Sequence, residues 1–199
     1  MSCDPGRSYE PITDADLARL AEIADSDRRR FLHRRPEYRH RLLCVALCQG
    51  AGLHYVDVVN RKQEPNGVKD FDVWSFFAAI LDQRFPADRR MTHVDLQSSK
   101  FGKWPDEPAA NGHYRGRRVD LLMRALPCTP LVETDITATL RTYLREGRTT
   151  SARKLAAKGV VLIEPAGRRG EIVWPEQGQR AALSSSAPNE HRRDKANYR

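Results

Sequence analysis

The segment Leu42-Leu43-Cys44-Val45-Ala46-Leu47-Cys48 is apolar throughout and runs straight into Gln49-Gly50-Ala51-Gly52. Leaving such a run in water forfeits about 25 cal/mol for every Å² of apolar surface. It must therefore be buried on all sides. A buried central strand, or the end of a buried helix closed by a glycine-bearing turn, meets that demand. Two later segments have similar density. In Val68–Phe77, Val68, Asp70 and Asp72 alternate with Phe71, Val73 and Ser75, and aromatic and β-branched residues abound, which predicts a strand. Arg117-Arg118-Val119-Asp120-Leu121-Leu122-Met123 predicts a third. The polar stretch 60–67 ends in Pro-Asn-Gly turn chemistry. Residues 82–118 read as a long irregular connection holding a short strand near Val94–Leu96.

Helical signals flank these strands. Thr13 reads as an N-cap, with Asp14 and Asp16 in the first turn and Leu17, Leu20, Ala21, Ile23 and Ala24 at helical spacing. This predicts a helix to about Asp25 and a second piece over 28–35, broken by Pro36. Thr134 caps a helix with an Ile136, Leu140, Tyr143, Leu144 stripe that Gly147 ends. Thr149 or Thr150 opens the last helix. Beyond Gly159, either that helix runs on through 160–163, the preferred reading, or Gly159 is a C-cap and 160–163 pairs with 171–174 in a hairpin. The expected fold class is α/β (α+β), a short mixed β-sheet carrying three aspartates and flanked by helices. The expected organisation is an N-terminal arm and basic helical segment over 1–41, a domain with C-terminal helices over 42–175, and a disordered basic tail over 176–199.

With 199 residues the chain can bury a proper core without staples. Lys and Arg number 34 against 26 Asp and Glu, a net charge of +8, which points to an anionic partner. No apolar run approaches the roughly 18–20 residues of a membrane span, and no apolar stretch follows the N-terminus. Cys3, Cys44, Cys48 and Cys128 form no C-x-x-C pair and read as reduced thiols, so a cytoplasmic protein is expected. Arg28, Arg29, Arg30, Arg34, Arg35, Arg39 and Arg41 lie close together, with Glu37 the only acid among them. Pairing with Asp25, Asp27 and Glu37 on a solvated face is the preferred reading; a phosphate-binding face for nucleic acid is the other.

Asp70 and Asp72 leave one face of a strand, roughly 6.5–7 Å apart, and Asp120 sits between apolar residues on another. Carboxylates so placed repel one another, and burying them unpaired is costly. Divalent metal resolves the conflict, because a two-metal site can be bridged by acidic groups and can clamp the oxygens of a phosphoryl transfer. The bland alternative is that Asp70 and Asp72 face solvent.

The order Val45-Ala46-Leu47-Cys48-Gln49-Gly50-Ala51, then Asp70-Phe71-Asp72-Val73, then Val119-Asp120-Leu121 resembles the DNA polymerase β-like nucleotidyltransferase superfamily. Ala51 stands where that superfamily carries Ser or Gly, and the interval from Gly50 to Asp70 is longer than usual. The resemblance implies a sheet of that type and transfer of a nucleoside monophosphate from an NTP to a hydroxyl acceptor, with pyrophosphate leaving. It implies that backbone N–H groups at Gly50 and Ala51 approach the triphosphate. Asp70 and Asp72 would hold the nucleotide-bound Mg²⁺, and Asp120 the catalytic Mg²⁺, with Mn²⁺ as the alternative ion. Ser98, Ser99 and Lys100 form a candidate phosphate-gripping loop. Arg118 either neutralises the triphosphate or pairs with Asp120. The rival is an inactive domain of the same fold that binds nucleic acid or a partner protein through Arg28–Arg41. His54, His93 and His113 show no partners in sequence.

Overall fold

In the computed structural model, which describes residues 4, 6–86, 91–128 and 135–176, the apolar run is a central strand, β1 (Leu42–Cys48). It passes directly into α2 (Gln49–Val59). No glycine turn intervenes: Gln49 alone takes the left-handed conformation, at φ 55°, and Gly50 lies in the first helical turn. The second dense segment is β2 (Phe71–Ala78) and the third is β4 (Arg118–Leu126). The short strand in the long connection is β3 (Thr92–Asp95). With β5 (Gly159–Glu164) and β6 (Ile172–Trp174) they form a six-stranded mixed sheet in the order β3-β4-β2-β1-β5-β6. Only β2 and β4 run parallel; the other neighbours are antiparallel.

Strand alternation sends side chains to two cores. Val45 and Leu47, Phe71 and Val73, Val119 and Leu121, and Val161 and Ile163 meet α1 (Asp14–Arg34) and α2 on one face. Cys44, Ala46 and Cys48, Trp74 and Phe76, and Val160 and Leu162 meet α3 (Ile136–Glu146) and α4 (Thr150–Ala156) on the other. The result is a sheet with helices on both faces, an α/β arrangement in which each apolar face is covered. Cys44, Cys48 and Cys128 are free. Among the described residues no helix is long and apolar enough to cross a membrane.

Several local expectations are corrected. The two helical pieces before Pro36 are one helix, α1. Asp25-Ser26-Asp27 does not break it, because Arg28 bridges Asp25 and Glu164, at 2.6 and 2.8 Å, while Phe31 buries its ring one turn later. The preferred helical extension through 160–163 is wrong. Those residues are β5, hydrogen-bonded to the otherwise open edge of β1 and to β6. β2 begins at Phe71, so Asp70 lies one residue before the strand rather than on it, and Val68 is buried in the α1 core rather than sharing the Asp72 face. The cap of α3 is Asp135, whose side chain accepts from the N–H groups of Thr137 and Ala138. Thr134, the expected cap, lies outside the described residues, as does the tail from 177 onward. Of the two candidates that open α4, Thr149 and Thr150, the cap is Thr149: its hydroxyl accepts from Ala152 N–H at 3.0 Å.

The Thr13 cap stands too. Its hydroxyl accepts from Asp16 N–H at 3.4 Å and the Asp16 carboxylate accepts from Thr13 N–H at 2.7 Å, a reciprocal capping box. Thr13→Ala should therefore cost about 1 kcal/mol in urea unfolding, and Thr13→Ser little. Equal stability of Thr13→Ala and wild type would show that the cap contributes nothing.

Candidate functional site

The topology brings the three aspartates to one end of the sheet. Because β2 and β4 are parallel and in register, Asp72 lies directly beside Asp120. Because β1 is antiparallel to β2, its last residue, Cys48, lies on the other side of Asp72. The end of β1, the start of α2 and the starts of β2 and β4 therefore converge. Asp72 and Asp120 point to the α3/α4 face, on which Trp74 and Phe76 follow along β2, and both are buried, 8% and 4% exposed.

Burial of charge at this spacing demands partners, and the site supplies them unevenly. Gln49 donates from Nε2 to Asp72 Oδ1 at 2.6 Å. Its left-handed backbone sets it at the strand-to-helix junction. Arg118, on β4, presents its guanidinium to three carboxylates. Nη2 donates to Asp70 Oδ2 at 3.0 Å, Nη1 donates to Glu107 Oε1 at 3.1 Å, and Nε lies 2.8 Å from Asp120 Oδ1. The last contact is an ion pair without hydrogen-bond geometry. His93 Nδ1 is 2.7 Å from the same Asp120 oxygen, and Asn111 donates to Glu107 at 2.8 Å. Burial, with the negative charges of Asp70 and Asp120, pushes the Asp72 carboxyl up to about 7, against the pull of Lys158 and Arg118. Burial works against the Arg118 cation, but Asp120, Glu107 and Asp70 outweigh it and raise that group above its ordinary value.

Beside the acids stands the N-terminus of α2. Cys48 provides no side-chain cap, so first-turn N–H groups of α2 lack that partner. Gly50 leaves open space: a Cβ there would meet nothing nearer than Asn66 Nδ2 at 3.5 Å. Ala51 turns its methyl into the core. A helix N-terminus of this kind favours an anion.

The three aspartates, Gly50, Ala51 and Arg118 thus share one end of the sheet. The proposed Ser98-Ser99-Lys100 loop does not join them. Lys100 Nζ pairs with Asp16 Oδ2 at 2.7 Å, at the start of α1, and Ser99 Oγ is buried without a partner. Phe101, the residue after the loop, packs edge-on against Phe71 in the α1 core, on the opposite face from the acids. Between the adjacent arginines, strand alternation sends Arg118 to the acids and Arg117 to the other side. There Arg117 donates to the carbonyls of Phe101, Gly6 and Lys69. Of the two roles open to Arg118 in sequence, pairing with Asp120 is the one in place.

Gln49, His93 and Glu107 escape sequence reasoning. His93 meets Asp120 only because β3 pairs with β4 at that register, and nothing local marks Glu107. The basic run divides. Arg28 and Arg29 pair with Asp25, while Arg29, Arg30, His33 and Arg34, with Asp27 among them, line an open groove between α1 and the start of β3, beside Met91 and Thr92.

Three carboxylates offer the hard oxygen donors that Mg²⁺ takes. Among the described residues, however, no three His, Cys, Asp or Glu side chains are gathered at metal-holding spacing; Asp70 and Asp120 are held on Arg118 instead, and Asp72 on Gln49. Comparison with protein-family models, with curated proteins and with solved structures finds no match to this chain.

Proposed function

We propose that the chain is a Mg²⁺-dependent nucleotidyltransferase that transfers a nucleoside monophosphate from an NTP to a hydroxyl acceptor. One observation carries this reading: Asp72 and Asp120, register partners on parallel strands, and Asp70, tied to Asp120 through Arg118, stand at the end of the sheet where α2 begins. Asp70, Asp72 and Asp120 would hold the metal, which supplies charge neutralisation at the triphosphate and at the attacking hydroxyl. The α2 N-terminus and Gly50 give the phosphates backbone donors and room for close approach. Gln49 fixes the Asp72 carboxylate and His93 fixes that of Asp120. Catalysis then rests on positioning and on electrostatics that are already in place before the substrate arrives.

The test is thermal unfolding with each NTP, with and without Mg²⁺. A nucleotide at about 100 times its Kd adds roughly 2.7 kcal/mol, which moves the midpoint by about 5–11 °C in a chain of this size. The shift should require Mg²⁺ and should vanish in Asp120→Asn. The reading fails if no NTP gives a Mg²⁺-dependent shift.

The Arg29, Arg30, His33 and Arg34 groove favours a second reading, a nucleic-acid-binding domain without transferase activity. That reading expects oligonucleotide affinity that falls steeply with salt and survives Asp120→Asn unchanged.

A further inference from the structure

β3 is an outer strand of the sheet, and among the described residues only β4 pairs with it. Antiparallel ladders alternate. Leu96 N–H donates to the Arg117 carbonyl at 3.0 Å, so Val94 and Thr92 turn their main-chain groups to β4, and His93 and Asp95 turn theirs to the open edge. Such an edge offers donors and acceptors to a further extended chain.

Beside this edge, α1 and β3 enclose a groove with two lobes. The larger, about 830 Å³, is the arginine groove at the last turns of α1, beside Met91 and Thr92. The smaller, about 260 Å³, continues toward the start of α1 and has Ile23, Val94 and Leu121 in its lining. Asp27, Arg30 and Thr92 line both lobes, so the groove is continuous. Its charges are unevenly matched. Arg19 pairs with Glu22 at 2.9 Å, and Arg29 pairs with Asp25 at 2.5 Å. Asp95 accepts from the N–H groups of Gln97, Arg115 and Gly116, at 2.8, 2.7 and 2.9 Å. Asp27 has a partner as well. Arg34 donates to the Arg30 carbonyl at 3.3 Å, and among the described residues neither Arg30 nor Arg34 meets a carboxylate. The acids of the groove are therefore satisfied while two of its cations are not.

We propose that an extended acidic segment of another protein docks here, adding as a strand to β3 and laying alternate side chains into the α1 groove. Every second residue of an added strand faces the same side. At the Thr92 end those residues meet Arg30 and Arg34, which call for Asp or Glu. At the Val94 end they meet Ile23 and Leu121, which call for an apolar residue. The arginines alone would serve phosphates equally well. A nucleic-acid backbone, however, carries no alternating amide donors for the carbonyls of the edge, and no Phe, Tyr or Trp lines either lobe to stack a base. A second copy of this chain would bring its own arginines against these, like charge facing like. Docking of this kind needs nothing from the aspartates at the sheet end.

The experiment is selection of a random phage-displayed library of about ten-residue peptides on the full chain, in parallel with the double variant Arg30→Glu, Arg34→Glu, both of which fall on exposed side chains. The wild type should enrich sequences with Asp or Glu at alternate positions and an apolar residue in the same phase. A fluorescein-labelled synthetic copy of an enriched peptide should bind the wild type about tenfold or more tightly than the double variant, read by anisotropy. Its binding should slow hydrogen exchange at the His93 and Asp95 amides. Methylating every second main-chain nitrogen of the peptide should cost about tenfold in one phase and little in the other, because only one phase faces β3. Enrichment of basic or uncharged sequences, no enrichment beyond that on the double variant, or unchanged exchange at His93 and Asp95 would each overturn docking at this edge. So would binding of oligouridylate that depends on Arg30 and Arg34 when no peptide is enriched, which would return the groove to the nucleic-acid reading.

Discussion

At pH 8, Asp72→Asn should be more stable than the wild-type chain by about 2 kcal/mol or more; at pH 4 the two should agree within about 0.5 kcal/mol. The sign follows from linkage. The Asp72 carboxyl titrates near pH 7 in the folded chain, against 3.8 for the unperturbed group. Between those values the native state holds a proton that the unfolded state has released. The wild type is therefore favoured below about pH 4 and loses that advantage as pH rises through 7. A shift of this size sets a ceiling of about 4 kcal/mol. Asn removes the buried charge yet keeps an oxygen for Gln49 Nε2, so the local hydrogen bond survives. Urea unfolding of both proteins at the two pH values measures the effect. Equal destabilisation by Asp72→Asn at pH 4 and pH 8 would show that the carboxyl is not held as a strained anion. A site that weakens its own fold at the working pH is expected where function needs the charge.

Gly159→Ala should cost about 4 kcal/mol or more, because the clash involves backbone that cannot turn aside. A Cβ at Gly159 would stand 2.3 Å from Leu53 N and 2.4 Å from the carbonyl carbon of Gly52. Here β5 and α2 touch main chain to main chain, which only glycine at both positions permits. Overpacking of movable side chains costs about 1–3 kcal/mol, and fixed backbone raises that. Gly167→Ala is the control: nothing lies within 4 Å of its added methyl, so a change within about 0.5 kcal/mol is expected. The result bears on the site as well. Gln49 bridges to Gly159 and also holds Asp72, so a displaced α2 carries the Asp72 partner with it. A Gly159→Ala protein as stable as wild type would mean that α2 does not depend on this contact.

Much of the framework is legible from residue chemistry. Leu42–Cys48 must be buried on every side and is a central strand. The aromatic and β-branched run within Val68–Phe77 reads as a strand and is one, β2, buried on both faces. Thr13 and Thr149 announce helix starts because their hydroxyls satisfy N–H groups that a helix leaves unpaired. The same reasoning fails at 160–163. Val160-Val161-Leu162-Ile163 is buried either as helix or as strand, and what decides is the edge of β1, over a hundred residues earlier, with backbone groups that need partners. It fails again at Lys100, whose partner Asp16 lies more than eighty residues earlier in the chain.

The candidate site divides along the same line. Local chemistry alone set Asp72 and Asp120 among apolar strand residues, since side-chain alternation is a property of neighbouring residues, and it left open whether Asp70 and Asp72 face solvent. Only the tertiary structure decided what those acids face. The parallel pairing of β2 and β4 sets Asp72 beside Asp120, and the β3 register brings His93 to the same carboxylate. The position of the connection delivers Glu107 to the far side of Arg118. The physical reason is that the partner of a buried charge is set by distance in space, and strand register and loop closure, rather than sequence separation, fix that distance.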